Sequence, residues 1–315
     1  MGIDGDMRIG APFVSVVLPV YNDPEGVRMT VESVADQTYP MEAYEVIVVD
    51  NNSDDNQTRR VIEDLCREFP ETVRVTTEVI QGQSPALNKG IERSHGSLIA
   101  FIDADMTVER TWLADIVETI ATRDIDYMGC SVELYTEDGE ESPISKYELA
   151  FSFPMGRYID ESNFSGSGCL VVTRDLIDTV GPFDATLDFS FDREFGRRVH
   201  DAGFEQHFAE NISMYHPARS RISQLVEKSI RTGRGKHHLH TRFPEQFDTR
   251  GFLDPRKYLP PHPLRFYNRL TERTTPSRNE IISIFAVAYL AKLMRAVGEA
   301  REYVSTECRF ADLTN

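Results

Sequence analysis

Val14 to Pro19 (VSVVLP) and Glu45 to Val49 (EVIVV) are short, uninterrupted runs dominated by β-branched residues, and Gly26 to Gln37 between them carries helical periodicity. Such a run has no polar face to give to water, so it belongs inside a parallel sheet covered on both sides. A parallel pair needs a crossover, and the intervening helix supplies it. The alternation continues through a helix at Thr58 to Phe69, a strand at Val73 to Glu78, a helix at Pro85 to Ser94 and a strand at Ser97 to Ile102. The spacing predicts an α/β fold built on a doubly wound, Rossmann-like sheet. After Asp126 the pattern turns mixed. Extended stretches at Tyr127 to Tyr135 and Gly168 to Thr173 and a helix from about Arg193 to Ala202 are expected to complete that sheet and shape a second pocket wall.

The chain has 315 residues, 40% of them hydrophobic, which is enough for one large core or two smaller ones. A formal charge of −17 excludes a general nucleic-acid binder, which needs a basic surface. Only six of the 34 basic residues are lysines, and such an acid-rich, lysine-poor balance suits a salt-rich cytosol where screening tolerates self-repulsion. Cys66, Cys130, Cys169 and Cys308 lie too far apart for a zinc or redox motif and read as reduced core residues. The opening MGIDGDMRIGAPF lacks the basic and apolar regions of an export signal, so the expected location is cytoplasmic, and the sequons at Asn51 and Asn56 are chance matches.

Positive charge is unevenly spread, with 13 basic and 5 acidic residues between Ala218 and Arg273, a local charge of +8. Next comes IISIFAVAYLA, an uncharged run well short of the roughly 20 residues a membrane-spanning helix needs. It is therefore not expected to cross a bilayer. Ile282, Phe285, Tyr289 and Leu293 recur at helical spacing, which predicts a helix with a broad apolar face. That face suits packing within the protein, a peripheral contact with the inner face of the membrane, or a homodimer.

The chemistry concentrates where predicted strands end. Phe101-Ile102-Asp103-Ala104-Asp105 is an apolar strand finishing in two carboxylates one residue apart, which leave the same side and can address one ion or one ion-bound diphosphate. Hard carboxylate oxygens suit Mg2+ or Mn2+. Asp50 closes the preceding core strand, where it can accept hydrogen bonds from a base or ribose, while Asp54 or Asn56 is expected to cap the following helix.

Taken in order, Val16-Val17-Leu18-Pro19-Val20-Tyr21-Asn22, Glu32-Ser33-Val34 with Gln37-Thr38-Tyr39-Pro40, Val49-Asp50-Asn51-Asn52-Ser53-Asp54-Asp55, Asn88-Lys89-Gly90 and Asp103-Ala104-Asp105 resemble the signature of the family-two glycosyltransferases of GT-A fold. The resemblance runs over about residues 14 to 217. It implies a 1–217 catalytic domain, followed by a basic, partly helical extension at 218–315. The implied activity is inverting transfer of a sugar from a nucleotide diphosphate donor to a hydroxyl or lipid-linked glycan acceptor, assisted by Mn2+ or Mg2+. Carried onto this chain, it puts Pro19 and Tyr21 beside the nucleobase with Asp50 as its acceptor and Asn52 in the same motif. Asp103 falls near the ribose or metal, and Asp105 on the metal.

Further along, Phe164-Ser165-Gly166-Ser167-Gly168-Cys169 resembles the family's glycine-containing loop near the donor sugar, with Gly166 as the contact. Gly181-Pro182-Phe183-Asp184 and Phe191-Asp192-Arg193-Glu194 resemble the stretch that carries the general base, which falls on Asp192. Phe191 departs from the Glu that many members carry, and Asp192 also suits a helix N-cap. Tyr215-His216-Pro217 resembles the segment whose histidine completes the metal site. Arg231-Thr232-Gly233-Arg234-Gly235-Lys236 is similar to an Arg and Gly pattern in related transferases, and on a Gly-flexible loop Arg231 and Arg234 could clamp diphosphate oxygens. His237, His238 and His240 read as part of that basic segment.

Two rivals remain at this level. A sugar nucleotidyltransferase would open with a Gly-rich basic phosphate loop after the first strand, and Pro19-Val20-Tyr21-Asn22-Asp23 offers none. A noncatalytic nucleotide-sugar-binding module fits the departure at Phe191, and the retained Asp103, Asp105, Asp192 and His216 argue against it.

Overall fold

The computed structural model describes residues 11–136, 142–245 and 253–313, with the backbone alone for 306–313. Its strands are β1 (Val14–Val20), β2 (Tyr44–Asp50), β3 (Val73–Thr77), β4 (Leu98–Phe101), β5 (Thr107–Val108), β6 (Tyr127–Tyr135), β7 (Leu170–Thr173) and β8 (Gln206–Pro217). The helices are α1 (Pro24–Ala35), α2 (Asn56–Glu68), α3 (Gln83–Arg93), α4 (Trp112–Arg123), α5 (Pro143–Phe151), α6 (Met155–Ser162), α7 (Arg174–Val180), α8 (Phe191–Asp201), α9 (Ile222–Arg242), α10 (Pro263–Arg273) and α11 (Arg278–Leu313).

One eight-stranded sheet runs β3-β2-β1-β4-β7-β6-β8-β5. The first four strands are parallel, β7 is antiparallel to both its neighbours, β8 is parallel to β6, and β5 is antiparallel to β8. After β1 the chain steps outward to β2 and β3 and then returns past β1 to β4. That reversal opens a crevice at the carboxyl ends of β1 and β4, where open α/β sheets bind ligands. The ends of β2, β4, β6 and β8 all reach this edge.

The alternation in β1 distributes its side chains between two cores. Val16 and Leu18 join Val46, Val48, Trp112 and Ile116 on one face, while Val17 joins Ile47, Val49, Leu87, Phe101 and Phe195 on the other. All seven residues of β2 are buried, as an apolar run without a polar face requires. The expected Gly168 to Thr173 strand begins later, because a 3-10 turn occupies Ser167–Cys169. The cap of α2 is Asp55, which accepts from the Thr58 amide at 2.6 Å, rather than Asp54 or Asn56. Asp54 is instead held by the Asn22 side chain at 2.6 Å.

The largest difference from the sequence reading lies beyond β8. The Arg231 to Lys236 stretch is no flexible loop; it is the middle of the 21-residue helix α9, and its glycines serve packing. A methyl group built at Gly233 would overlap the Arg295 carbonyl of α11, and one at Gly298 would overlap the Ile230 carbonyl of α9. Two glycines thus let two helix backbones touch at one crossing.

The terminal helix is also longer than its uncharged run suggests, at 36 residues. Its Arg278–Ser305 portion is long and apolar enough to cross a membrane by length and composition, which overturns the argument that the run is too short. In this fold it lies along α9, and Ile284, Ala288 and Ala291 share a core with Tyr147, Ala150, Leu225, Phe266 and Leu270. Much of the basic charge of the 218–273 segment is spent inside the protein. Arg234 and His238 pair with Glu302, Lys236 and Lys257 with Glu299, Arg242 with Asp184, and Lys228 with Glu148. Of the cysteines, Cys130 and Cys169 are buried and Cys66 is half-buried; the side chain of Cys308 lies outside the described residues.

Gly233→Ala discriminates between these roles for the glycine. In an ordinary helix position the change stabilises by about 1 kcal/mol through propensity. At this crossing it should instead destabilise by about 1–3 kcal/mol through overpacking, lowering Tm in a thermal melt; a raised Tm would reject the close crossing.

Candidate active site

The rim at the ends of β1 and β2 is assembled from turns that lock one another. Asn22 sits in the left-handed region (φ 51°), and its side-chain Oδ1 accepts from the backbone amides of Asp54 and Asp55 at 3.0 and 3.3 Å. Its own amide donates to Ser53 Oγ at 3.1 Å, so the ends of β1 and β2 form one rigid rim. Asp50 is buried and accepts from the Ser53 amide through Oδ1 at 2.9 Å. Asn51 reaches the other way: its side chain donates to the carbonyls of Glu78 and Ile80 and accepts from the Gly82 amide, fixing the loop into α3. Tyr21 and Asn52 are exposed above this rim, with Pro19 half-buried at its base.

At the end of β4 the Asp103-Ala104-Asp105 turn is gripped from three sides. Gln83, the first residue of α3, donates from Nε2 to Asp103 Oδ1 at 2.8 Å. Gly168 faces the same carboxylate, and a methyl there would overlap it. Gly26 at the start of α1 lies so close that a methyl would overlap the Ala104 carbonyl and the Asp23 carboxylate. Within the loop expected to lie near the donor sugar, the close approach to Asp103 is made by Gly168. Gly166 packs on Met155 instead and lines a neighbouring cavity.

The antiparallel pairing of β5 with β8 sets Thr107 opposite Tyr215, which brings His216 to Asp105. His216 Nε2 stands 3.3 Å from Asp105 Oδ2, while Nδ1 lies 2.7 Å from the Pro217 carbonyl. A carbonyl cannot donate, so Nδ1 carries the proton and a neutral ring would turn its Nε2 lone pair on a carboxylate. Two acceptors at that separation require positive charge between them, a proton or a cation. Burial pushes Asp105 up, but the hydrogen bond and charge of His216, with Arg219, more than offset it and leave it below the usual carboxylate range. Asp103 moves the other way, to about 6, through burial and the charge of Asp105, against His216 and Arg231. Burial and Asp105 also raise Asp23, against the amide of Gly26.

Asp192 stands in the first turn of α8. It does not cap that helix: Ser190 takes the cap position in the left-handed region (φ 61°), and Asp192 Oδ1 accepts from the adjacent Arg193 amide at 2.8 Å. Phe191, where the resemblance expects an acid, turns into the core and meets Phe183 edge-on at 5.5 Å. Asp192 lines a cleft of about 650 Å3 together with Gln83, Ser167, Tyr158 and Arg231. Burial pushes its carboxyl up to about 6, against the Arg193 amide and charge.

The two arginines expected to clamp a diphosphate both lie over the Phe189 ring, Arg231 at 5.9 Å and Arg234 at 5.5 Å, and differ in their polar partners. Arg231 faces the cleft, close enough to Asp103 and Asp105 for their charges to act on it. Arg234 turns to α11 and donates from Nε to Glu302 Oε2 at 2.7 Å. His238 meets the other oxygen of Glu302 at 2.8 Å, a carboxylate partner that lies 64 residues away in sequence.

Several motif residues prove to be scaffold. Asn88 donates to the Phe183 carbonyl and accepts from the Phe183 amide, Gly90 presses α3 against Val17, and Lys89 pairs with Glu92 on the surface. Gln37 donates to the Glu109 carbonyl and accepts from the Leu113 amide, holding the turn after β5. Sequence reasoning missed Gln83, Gly168, Asn51 and Arg219. Gln83 and Gly168 carried a usable signal, since one follows a glycine at a helix start and the other stands in the loop already singled out.

With this geometry in view, known proteins provide context. Residues 15–181 match the family model described as Glycosyl transferase family 2. The chain is 34% identical over 225 residues to Glycosyltransferase AglE of Haloferax volcanii, covering 71% of this chain and 73% of that protein. It is 23% identical over 235 residues to a dolichyl N-acetyl-glucosaminyl phosphate diacetamido-dideoxy-glucuronosyltransferase of Methanococcus voltae, again 71% and 73%. Among solved structures it is similar to the mannosyltransferase PcManGT from Pyrobaculum calidifontis in complex with GDP-Man and Mn2+, with TM-score 0.56, 15% identity and coverage of 95% of this chain and 76% of that one. It is also similar to S. aureus TarS 1–349 in complex with UDP, with TM-score 0.52, 16% identity and coverage of 94% and 91%. These likenesses show a GT-A-type fold.

The raised Asp192 carboxyl carries a stability signature. With an unfolded value of about 3.9, its folded-state value near 6 means that ionising it opposes folding. Below about pH 4 both states are protonated and Asp192→Asn should leave stability unchanged. As pH rises through 6 the wild type loses stability that the variant keeps, so urea midpoints at pH 8 should favour Asp192→Asn. Equal midpoints at pH 4 and pH 8 would place Asp192 in bulk solvent.

Proposed function

The chain belongs to glycosyl transferase family 2, and on that premise we propose that it moves a sugar from a nucleoside diphosphate donor to an acceptor hydroxyl in one inverting displacement. The observation that carries this reading is the convergence on one sheet edge of Asp103, Asp105 and His216, with Asp192 near enough for its charge to act on Asp103. The nucleoside would rest on the rim of Pro19, Tyr21, Asp50 and Asn52, and the sugar would project toward Ser167 and Asp192.

Asp105 and His216 fit a divalent cation. Carboxylate oxygen and imidazole nitrogen face each other across a gap that demands positive charge. Among the described residues no third His, Cys, Asp or Glu completes a protein cage, which leaves positions for diphosphate oxygens, the usual arrangement for Mg2+ and workable for Mn2+. When bound, such an ion would stabilise the negative charge gathering on the departing nucleoside diphosphate.

The other steps fall to the protein's side chains. Arg231 directs its guanidinium into the cleft and would pair with donor phosphate oxygens, while Arg234 donates to Glu302. Gln83 and Gly168 keep Asp103 from swinging as the donor enters. Asp192 would accept the proton of the acceptor hydroxyl as its oxygen attacks the anomeric carbon, and a value near 6 leaves it ionised yet basic at neutral pH. A hydroxyl on a lipid-linked glycan suits this scheme, in line with the dolichyl-linked glycan in the name of the Methanococcus relative.

Asp105→Ala should abolish Mn2+-dependent donor binding in a titration with GDP- and UDP-sugars, with the circular dichroism spectrum intact; unchanged binding would move the metal elsewhere. Asp192→Asn should keep donor affinity while turnover falls by about 10² to 10⁴. Wild-type turnover should drop tenfold per pH unit below about 6, and a rate flat to pH 5 would exclude Asp192 as the base.

A further inference from the structure

Behind Asp192 lies a second cavity of about 220 Å3, separate from the donor cleft and sharing with it Asp192, Tyr158 and Thr232. Its volume equals about seven waters at roughly 30 Å3 each, the scale of a single sugar ring. Tyr147, Phe151, Phe153 and Tyr158 supply aromatic walls, the kind of surface on which the C–H face of a sugar ring rests. Its charged lining is mixed, with Lys228 and Arg295 set beside Glu148 and Asp192.

The two cations differ. Lys228 is spoken for: its ammonium donates to both oxygens of Glu148, at 2.8 and 3.1 Å, and to Ser152 at 2.9 Å. Glu148 also accepts from Arg219 at 3.1 Å, so one buried carboxylate is already shared by two cations. Arg295 lines the same cavity, half-buried, and its guanidinium makes no hydrogen bond or ion pair with any described residue. Asp192 lines the cavity too, with its Oδ1 taken by the Arg193 amide and the Arg193 charge acting on it. Arg295 is held in place by the glycine crossing, where its own carbonyl lies against Gly233. A half-buried guanidinium with no hydrogen-bond or ion-pair partner among the described residues, lining the same cavity as the proposed base and four aromatic rings, is placed to meet an anion.

We propose that this second cavity receives the terminal ring of the acceptor and that Arg295 reads an anionic substituent on that ring, a carboxylate or a phosphate. The proposal rests on Asp192 being the base, because an acceptor hydroxyl must reach it from the side opposite the donor. It assigns acceptor choice to α11, an element outside the 15–181 stretch that matches the family.

The test is binding, so that it stands apart from transfer. The full chain, without donor, is titrated calorimetrically with p-nitrophenyl β-D-glucuronide, p-nitrophenyl β-D-glucoside 6-phosphate and neutral p-nitrophenyl β-D-glucoside. At least one anionic probe should bind roughly tenfold or more tighter than the neutral one, the range expected for hydrogen bonds to a charged group; the tighter of the two identifies carboxylate or phosphate. Arg295→Met should bring the anions to within about twofold of the neutral probe while leaving the neutral probe's affinity in place, and Arg295→Lys should fall between. Equal affinity for all three probes, a preference that survives Arg295→Met, or no binding of either anion at millimolar concentration would overturn the proposal. Should Arg295→Met fail to fold, Arg295→Lys decides by the same ratio. An anion preference lost in Arg295→Met in a chain that transfers no sugar would reject the transfer reading alone, whereas transfer without the preference would reject this inference alone.

Discussion

Three helices begin at the same sheet edge, and the fold depends on the field they create there. Asp23 caps α1, Gln83 opens α3, and Asp192 stands in the first turn of α8. Each helix N-terminus carries partial positive charge and unsatisfied amides, so this edge tolerates carboxylates that would otherwise repel one another. The tolerance is incomplete. Asp103 and Asp192 are both pushed up to about 6, burial leading in each case. His216, Arg219 and Arg231 supply the remaining positive charge from β8 and the helical region after it. The C-terminal region is therefore part of the electrostatic balance of the edge as well as a covering for the sheet.

The first half of the fold was legible because its strands carry no polar face. The runs at Val14 and Glu45 admit one environment, and their order with the intervening helices dictates the doubly wound core. The carboxylates at strand ends were legible for the same reason, since a strand's last residues fall where open sheets bind ligands. The partner of Asp105 was not visible from spacing alone. His216 lies 111 residues later, and only the antiparallel pairing of β5 with β8 brings it there.

Glycine was the least legible residue, because its meaning depends on what approaches it. The Arg and Gly run at 231–236 has the composition of a mobile loop, yet Gly233 and Gly235 are buried in the middle of a helix. Their value is the absence of a side chain at an interhelical crossing, which pairs Gly233 with a carbonyl of α11 and sets Gly235 against Phe189. The same ambiguity holds at Asp103, where Gly168 of the glycine-containing loop makes the close approach. In both places the sequence marks that something comes near and leaves open what it is. Asn88 and Gln37 make a parallel case for polar residues, since each stands in a signature motif and is spent on satisfying backbone groups of a turn.

The glycine crossing and the division of the arginines have one cause. Helix α9 must lie close to the sheet edge for Arg231 to face Asp103 and Asp105, and α11 must lie close to α9 for Arg295 to enter the cavity behind Asp192. Arg234, three residues from Arg231 on α9, ties the two helices together through Glu302, and Lys236 and Lys257 reinforce the tie through Glu299. Spacing of three or four residues along a helix places side chains on neighbouring positions of one face, so a small rotation of α9 would move Arg231 and Arg234 together. The ion pairs at Glu299 and Glu302 oppose that rotation. They link the position of a cleft arginine to the seating of the terminal helix, so the two cavities that meet at Asp192 are shaped by one packed pair of helices.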